Sequence, residues 1–281
     1  MSNKKEDSKL VREIKSWAVV ILIAIGLKST VVEAYQIPTG SMEETVLIGD
    51  FILGKKFTFG TRTPSWIGIP FTRIGFNIPY FRLPGFRKPQ SGDIIIFKYP
   101  LDTHLNYIKR CIGGPGQTVE IIEGQVYVDG KIFENPEHSQ FTDRILQENY
   151  REKDIFPPGA GNRDNYGPIY VPAKGDTLRY EEDNVYLIQN AVKLAGHTFR
   201  VKFNKMVIDG RESDYYVVEQ DHYFMMGDNR HNSSDSRYWG FVPFDYIMGN
   251  PLITYLSWNK GTRLYKLHKI IRWNRIGNIP K

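Results

Sequence analysis

Glycine and proline interrupt this chain so often that long helices cannot be its main building blocks. Its 25 glycines and 16 prolines separate short apolar runs along most of its length. Proline removes a backbone donor and clashes with the preceding helical turn, and glycine costs about 1 kcal/mol relative to alanine inside a helix. Prolines 64, 70, 79 and 84 divide the aromatic segment 57–88. The runs between breakers read as strands. Asp93–Tyr99 is apolar and bounded by Ser91-Gly92 and Pro100, and Asn106–Ile112 alternates before stopping at Gly113-Gly114-Pro115-Gly116. Gln117–Ile122 continues the pattern. Val126–Phe133 is a hairpin whose Asp129-Gly130 suits a type I′ turn, and Met206–Arg211 echoes it. Glu181–Leu194 alone has strong helical periodicity. Leu187, Ile188, Ala191 and Val192 share a face, acids fill the expected first turn, and Gly196 lies beyond the end. The expected fold class is mainly β.

The N-terminus follows a different pattern. Lys4, Lys5, Lys9, Arg12 and Lys15 precede the uncharged run Trp17–Leu27. As a helix, Trp17 to Val32 would span about 24 Å, short of a ~30 Å hydrocarbon core. Lys28 near the outer end is able to reach the interface with its amine. Two readings fit: a cleaved secretory signal ending at Val32-Glu33-Ala34, or an uncleaved anchor. Both place the remainder outside the cytoplasm, because the cations come first. The other terminus is basic. From Asn250 to Lys281 there is no acid, but Lys260, Arg263, Lys266, Lys269, Arg272, Arg275 and Lys281 are present. With an apolar segment at the opposite end, phospholipid is the expected anionic partner and nucleic acid is not. The aromatic segment 57–88, with Arg62, Arg73, Arg82, Arg87 and Lys88, reads as a loop resting in lipid headgroups.

Three stretches carry chemistry. The single Cys111 excludes an intrachain disulfide. The six histidines have no metal spacing, so neither a metal nor another cofactor is expected. Ser41, in Ile37-Pro-Thr-Gly-Ser-Met42, is a candidate nucleophile that needs a base. A lysine base must be neutral near pH 7, several units below its reference pKa of about 10.4, so it must be buried. Lys109 is a candidate, since strand alternation puts it on one face with Tyr107 and Cys111, though taken alone this pattern fits an edge-strand lysine pointing to water better. Gly227–Pro243 leaves an apolar strand as a polar loop closing on Tyr238-Trp-Gly-Phe241, and buried polar groups of that kind need partners.

Taken together these stretches resemble the bacterial type I signal peptidases. Pro38–Met42 with Leu47–Asp50 is similar to the family's nucleophile box, and Tyr107–Arg110 with Gly113–Gly116 to its base box. Gly227–Arg230, Asn232-Ser233 and Asp235–Pro243 are similar to the third, and Arg275–Ile279 to the family's C-terminus. The order matches, behind an N-terminal apolar segment. The resemblance implies a membrane-bound serine endopeptidase acting on signal peptides after small residues, with Ser41 as nucleophile and Lys109 as general base. It implies an oxyanion hole from the Ser41 N–H and the Thr39 hydroxyl. Ser233 would orient Lys109, with Asp235, Arg237 and Arg110 as salt-bridged support. Tyr35, Ile37, Met42, Val46, Tyr107 and Ile108 match the family's pocket-lining positions. The chain departs from the pattern at Glu44, where proline is frequent, and at Asn106 and His231, where acids are frequent.

The family also favours the anchor reading. The implied organisation is a cytoplasmic segment 1–15, one transmembrane helix 16–34, a β catalytic core 35–133 and 221–281 with membrane loop 57–88, and a variable α+β cap insert 134–220. The implied location is the bacterial inner membrane, single-pass, with the catalytic part on its outer side. Two rivals are a non-catalytic envelope protein and a penicillin-binding-type enzyme using Ser257-Trp-Asn-Lys260, though no K-T-G follows that motif.

Overall fold

The computed structural model describes residues 11–20, 23, 26, 31–63, 66–68, 74–259, 261–262 and 270–281. Strands dominate, as expected. The principal sheet has seven antiparallel strands in the order Val32–Gln36, Asp50–Lys55, Ile247–Ser257, Ile94–Tyr99, Asp102–Gly113, His222–Met226 and Val242–Pro243. The C-terminal strand Ile247–Ser257 is thus inserted between two early strands. Its partner Asp50–Lys55 alternates in burial, turning Asp50, Ile52 and Gly54 inward. Gly54 is required there, since a Cβ would come within 2.7 Å of the Tyr35 ring.

A four-stranded sheet follows, ordered Tyr166–Tyr170, Thr118–Ile122, Gln125–Val128 and Lys131–Ile132. The last two form the expected hairpin, with Asp129 at φ 52° and Gly130 at φ 73°, both left-handed as a type I′ turn demands. The echo at Asp209-Gly210 turns the same way, between Lys205–Ile208 and Arg211–Ser213. The strand Tyr166–Tyr170 of this second sheet comes from the expected cap insert yet pairs with Thr118–Ile122 of the expected core, so one sheet crosses the 133/134 boundary. Val119, Ile121, Val126, Tyr166, Phe224 and Phe241 share one apolar cluster across both regions. Burying each such side chain stabilises the fold by about 1.5–3 kcal/mol.

The helix spans Val185–Leu194, buries Ile188, Ala191 and Val192, and has no acid in its first turn. It starts later than the expected Glu181 because Asn184 serves the preceding turn. Its Oδ1 accepts from the Glu181 N–H at 3.1 Å, and its Nδ2 donates to the Arg179 carbonyl at 2.8 Å.

Residues 11–20 are helical, but among the described residues no helix is long and apolar enough to cross a membrane. Of the expected anchor 16–34, residues 21–22, 24–25 and 27–30 lie outside the described residues, as do residues 1–10. Its outer limit needs correction: Val32–Ala34 pair with Leu53–Lys55 as the first strand, so no helix extends to 34. Of the aromatic segment, 64–65 and 69–73 lie outside the described residues. The remainder includes the strand pair Trp66–Gly68 and Gly75–Asn77 and a bridge between Arg62 and Arg82. Ile74, Phe76, Phe81, Leu83 and Phe86 are exposed, with Phe86 at 85%. The cations are less available than expected. Arg62 is buried, with its guanidinium 3.6 Å from the centre of the Tyr80 ring. Arg82 donates to the Gly60 and Ile247 carbonyls, Arg87 pairs with Asp93, and Lys88 pairs with Asp221. Arg73 lies outside the described residues.

Candidate active site

Ser41 sits in a turn that leaves the first strand and returns as the second. Ile37 N–H donates to the Asp50 carbonyl at 2.9 Å, and Gly49 N–H donates back to the Ile37 carbonyl at 2.9 Å, closing the loop at its neck. Inside it, Glu43 N–H bonds the Gly40 carbonyl and Val46 N–H bonds the Met42 carbonyl. Met42 and Val46 face inward and are fully buried among Tyr35, Ile37, Ile52, Ile96 and Ile108. The turn is therefore nailed down by its apolar side chains and presents Ser41 on the opposite side. Glu44 has φ 70°, a left-handed conformation closed to proline, whose ring fixes φ near −65°. The turn thus differs from one built on the proline frequent in the family.

Lys109 lies on the long strand Asp102–Gly113, which is exposed at its start and buried from Ile108 onward. Lys109 is paired with Ile95 of the neighbouring strand. Its Nζ is 2.5 Å from Ser41 Oγ and 3.2 Å from the Ile108 carbonyl oxygen. Lys109 is 3% exposed and Ser41 8%. Burial pushes the Lys109 ammonium from its ordinary 10.5 down to about 8. Asp235 and Asp228 pull it back up and Arg237 pushes it further down. About a tenth of it is therefore neutral at pH 7 and about half near pH 8, and the amine touches the Ser41 hydroxyl.

The polar loop after His222–Met226 closes over this pair. Gly227 is indispensable, since a Cβ would lie 2.3 Å from Ser233 Oγ and 2.4 Å from the Ser41 carbonyl oxygen. Asn229 N–H donates to that Ser41 carbonyl at 3.1 Å, and Asn229 Nδ2 donates to the Gly40 carbonyl at 3.1 Å. Asp235 and Arg237 form a buried two-pronged pair, with Nε and Nη2 each 2.8 Å from a carboxylate oxygen. Burial pushes the Asp235 carboxyl up, but Arg237 and the Gly227 N–H outweigh it and hold the group below its ordinary value. The same pairing holds Arg237 above its ordinary value against burial. Arg110 pairs with Asp228 instead of Asp235, through Nε at 2.8 Å and Nη2 at 2.7 Å.

Two expectations differ from the geometry. Ser233 Oγ makes no hydrogen bond to Lys109, whose amine bonds Ser41 Oγ and the Ile108 carbonyl; Ser233 instead acts on the Asp235 carboxyl, helping to hold it below its ordinary value. Met42 and Val46 do not line the adjacent cleft; they are fully buried against the Tyr35, Ile37, Ile52, Ile96 and Ile108 side chains that do. That cleft has a volume of about 430 Å³ and is lined by Tyr35, Ile37, Thr39, Tyr107, Ile108 and Lys109, with Ile52 and Ile96 as additional apolar wall. Thr39 is exposed at its rim. Tyr107 is held in place by stacking on Tyr99, centroids 4.3 Å apart.

Sequence reading missed several partners. Thr45 Oγ1 donates to Asp228 Oδ2 at 2.7 Å. His231, where the family often has an acid, bonds Asp164 of the expected insert at 2.8 Å and accepts from the Asp143 N–H at 2.9 Å. Gln140 exchanges backbone bonds with Asp228 and Arg230, so the insert straps the loop from outside. Asp50 Oδ1 accepts from Ser257 Oγ at 2.6 Å and its Oδ2 accepts from Arg275 at 2.8 Å. The Ser257 hydroxyl also accepts from Arg272 Nε at 2.8 Å. Ser257 is therefore a structural tie; Lys260, its S-x-x-K partner, lies outside the described residues along with Arg263, Lys266 and Lys269.

The family model described as signal peptidase, peptidase S26, matches residues 10–256. A signal peptidase I of Buchnera aphidicola subsp. Schizaphis graminum is 34% identical over 281 residues, covering 95% of this chain and 81% of that protein. One from Pseudomonas aeruginosa is 32% identical, covering 96% of this chain and 79% of its own. One from Buchnera aphidicola subsp. Acyrthosiphon pisum is 28% identical, covering 99% and 85%. The matched span contains the nucleophile turn, the lysine strand and the polar loop together, and it leaves out only the chain's two ends. This chain belongs to the signal peptidase family, peptidase S26, and is a serine endopeptidase that cleaves signal peptides from preproteins.

Proposed function

We propose that Ser41 is the nucleophile and Lys109 its general base, in an enzyme anchored in the bacterial inner membrane with its catalytic part on the outer side. The observation that carries the reading is the 2.5 Å contact between Ser41 Oγ and a buried Lys109 Nζ brought down to about 8. Neutral Lys109 takes the hydroxyl proton as Oγ attacks the scissile carbonyl carbon. The resulting oxyanion is met by the Ser41 N–H and the Thr39 hydroxyl. Collapse breaks the C–N bond, and the leaving amine receives the proton from Lys109. Water then attacks the ester, giving its proton to Lys109, and the released Oγ recovers one. Asp235 with Arg237 and Asp228 with Arg110 hold the surrounding charges in fixed pairs, so the amine is sheltered without being salt-bridged itself.

The substrate lies extended in the 430 Å³ cleft. Val32–Gln36 is the outermost strand of its sheet. The outer half of Asp102–Gly113 pairs only with Ile94–Tyr99, since His222–Met226 joins from Arg110 onward. Two strand edges thus face the cleft, able to bond a peptide backbone added between them. Ile37, Ile52, Ile96 and Ile108 give the floor a small apolar surface, suited to alanine-like side chains at positions −1 and −3. The exposed Ile74, Phe76, Phe81 and Phe86 support contact with the lipid surface from which a signal peptide emerges.

The test is cleavage of a purified preprotein in detergent or lipid by the wild type and by Ser41→Ala and Lys109→Ala. Both variants are expected to keep the wild-type circular dichroism spectrum and lose cleavage. Undiminished cleavage by Lys109→Ala would remove the base from the mechanism.

A further inference from the structure

We propose that Thr45 is a positioning residue for the reaction, holding the nucleophile turn at contact distance from the base strand through Asp228. The inference rests on the Ser41–Lys109 reading above. Thr45 lies four residues past Ser41 and is 2% exposed. Its hydroxyl donates to Asp228 Oδ2, a partner 183 residues away. The same carboxylate is gripped on both oxygens by Arg110, the residue next to Lys109. One carboxylate thus ties the turn carrying the nucleophile to the strand carrying the base, through side chains that touch neither reacting atom.

The turn is held at Thr45 from a second direction. Arg275 Nη2 donates to the Thr45 carbonyl at 3.1 Å and to Asp50 Oδ2 at 2.8 Å, so this residue is fixed at both its backbone and its side chain. The Arg275 tie runs to the neck of the loop, while the hydroxyl tie runs toward the lysine strand, alongside the weaker bond from the Asp228 N–H to Met42 Sδ at 3.4 Å. Asn229 grips Gly40 and Ser41 by their carbonyls, which holds the start of the turn against the polar loop, whereas Thr45 holds its end. Removing the Thr45 hydroxyl leaves the Asp228–Arg110 pair intact, so no buried charge is stranded. What is lost is the lateral tie, and the turn is free to slide by a fraction of an ångström relative to Lys109. Reactions of this kind are steep in that coordinate: a misplacement of about 1 Å costs on the order of 100-fold.

The experiment compares kcat and KM for preprotein cleavage by the full chain and its Thr45→Val, Thr45→Ala and Thr45→Ser variants, with Ser41→Ala and Lys109→Ala alongside. Thr45→Val and Thr45→Ala are expected to lose ~10- to 100-fold in kcat with KM unchanged, since the substrate cleft is untouched. Thr45→Ser keeps the donor and is expected to recover most of kcat, which a packing role for the methyl would not allow. Wild-type kcat in Thr45→Val and Thr45→Ala, equal loss in Thr45→Ser, or a rise in KM at constant kcat each overturns the proposal. Activity in Ser41→Ala or Lys109→Ala would instead sink the reading beneath it, so the two failures are told apart.

Discussion

Replacing Lys109 by methionine is expected to destroy activity and yet stabilise the fold near neutral pH. In the unfolded chain the amine titrates at its ordinary 10.5; in the folded chain burial brings it to about 8, a gap of about 2.5 pH units. A pH unit corresponds to about 1.4 kcal/mol, so sheltering the amine costs the fold roughly 3 kcal/mol wherever it is charged in both states. The sign follows from proton counts. Between 8 and 10.5 the folded state binds fewer protons than the unfolded state, so stability rises with pH across that window. The penalty is complete below 8 and absent above 10.5. Methionine has nearly the same reach and never ionises. It gives up the Ser41 contact, worth about 1 kcal/mol, leaving a net gain of about 2 kcal/mol at pH 7. For a chain of this size that corresponds to a rise in Tm of about 4–8 °C. The assay is thermal unfolding of the detergent-solubilised full chain, followed by tryptophan fluorescence at about pH 7 and about pH 11. The gain should disappear at the higher pH and turn into a small loss. A Lys109→Met protein less stable than wild type by the same margin at both pH values would refute the premise that the fold pays to keep this amine dry.

Two further outcomes follow from the same coordinates. Because the neutral amine is the active form, log kcat/KM should rise by one per pH unit up to about 8 and then level off; a profile flat from pH 6 to 9 would contradict that assignment, and stopped-flow or endpoint cleavage of a peptide substrate suffices to measure it. Replacing Phe76, Phe81 and Phe86 by serine should weaken sedimentation of a fragment beginning at residue 31 with liposomes containing anionic lipid, without changing its peptide kcat; undiminished binding would show that these exposed rings are not the contact.

The parts of this molecule that were legible in its sequence are those specified by neighbours a few residues away. Asp129-Gly130 announced its hairpin because the turn needs left-handed residues at two adjacent positions. Alternation alone leaves Lys109 open to a solvent-facing reading, and it is the Tyr107–Arg110 box beside the Ser41 box that singles it out. The recognisable boxes carried the family. The helix start was misplaced because Asn184 spends its side chain on the preceding turn, a choice invisible to periodicity. Met42 and Val46 match the family's pocket positions, whereas this fold buries them completely against the side chains that do line the cleft. The ties among Thr45, Asp228 and Arg110, and those of Asp50 with Ser257 and Arg275, join residues whose separation runs to 225 positions. Nothing local marks such partners, since each is an ordinary polar residue until the sheet brings the other within reach.

That long-range stitching has a bearing on when the enzyme comes alive during its own synthesis. The strand Ile247–Ser257 is wedged between Asp50–Lys55 and Ile94–Tyr99, which leave the ribosome far earlier, so the sheet holding Ser41 against Lys109 stays open until that strand is made. Ser41 and Lys109 are both made long before it, but the sheet that holds them in contact is complete only once it arrives. A chain cut short before Ile247 is therefore expected to lack cleavage activity, although it carries both Ser41 and Lys109.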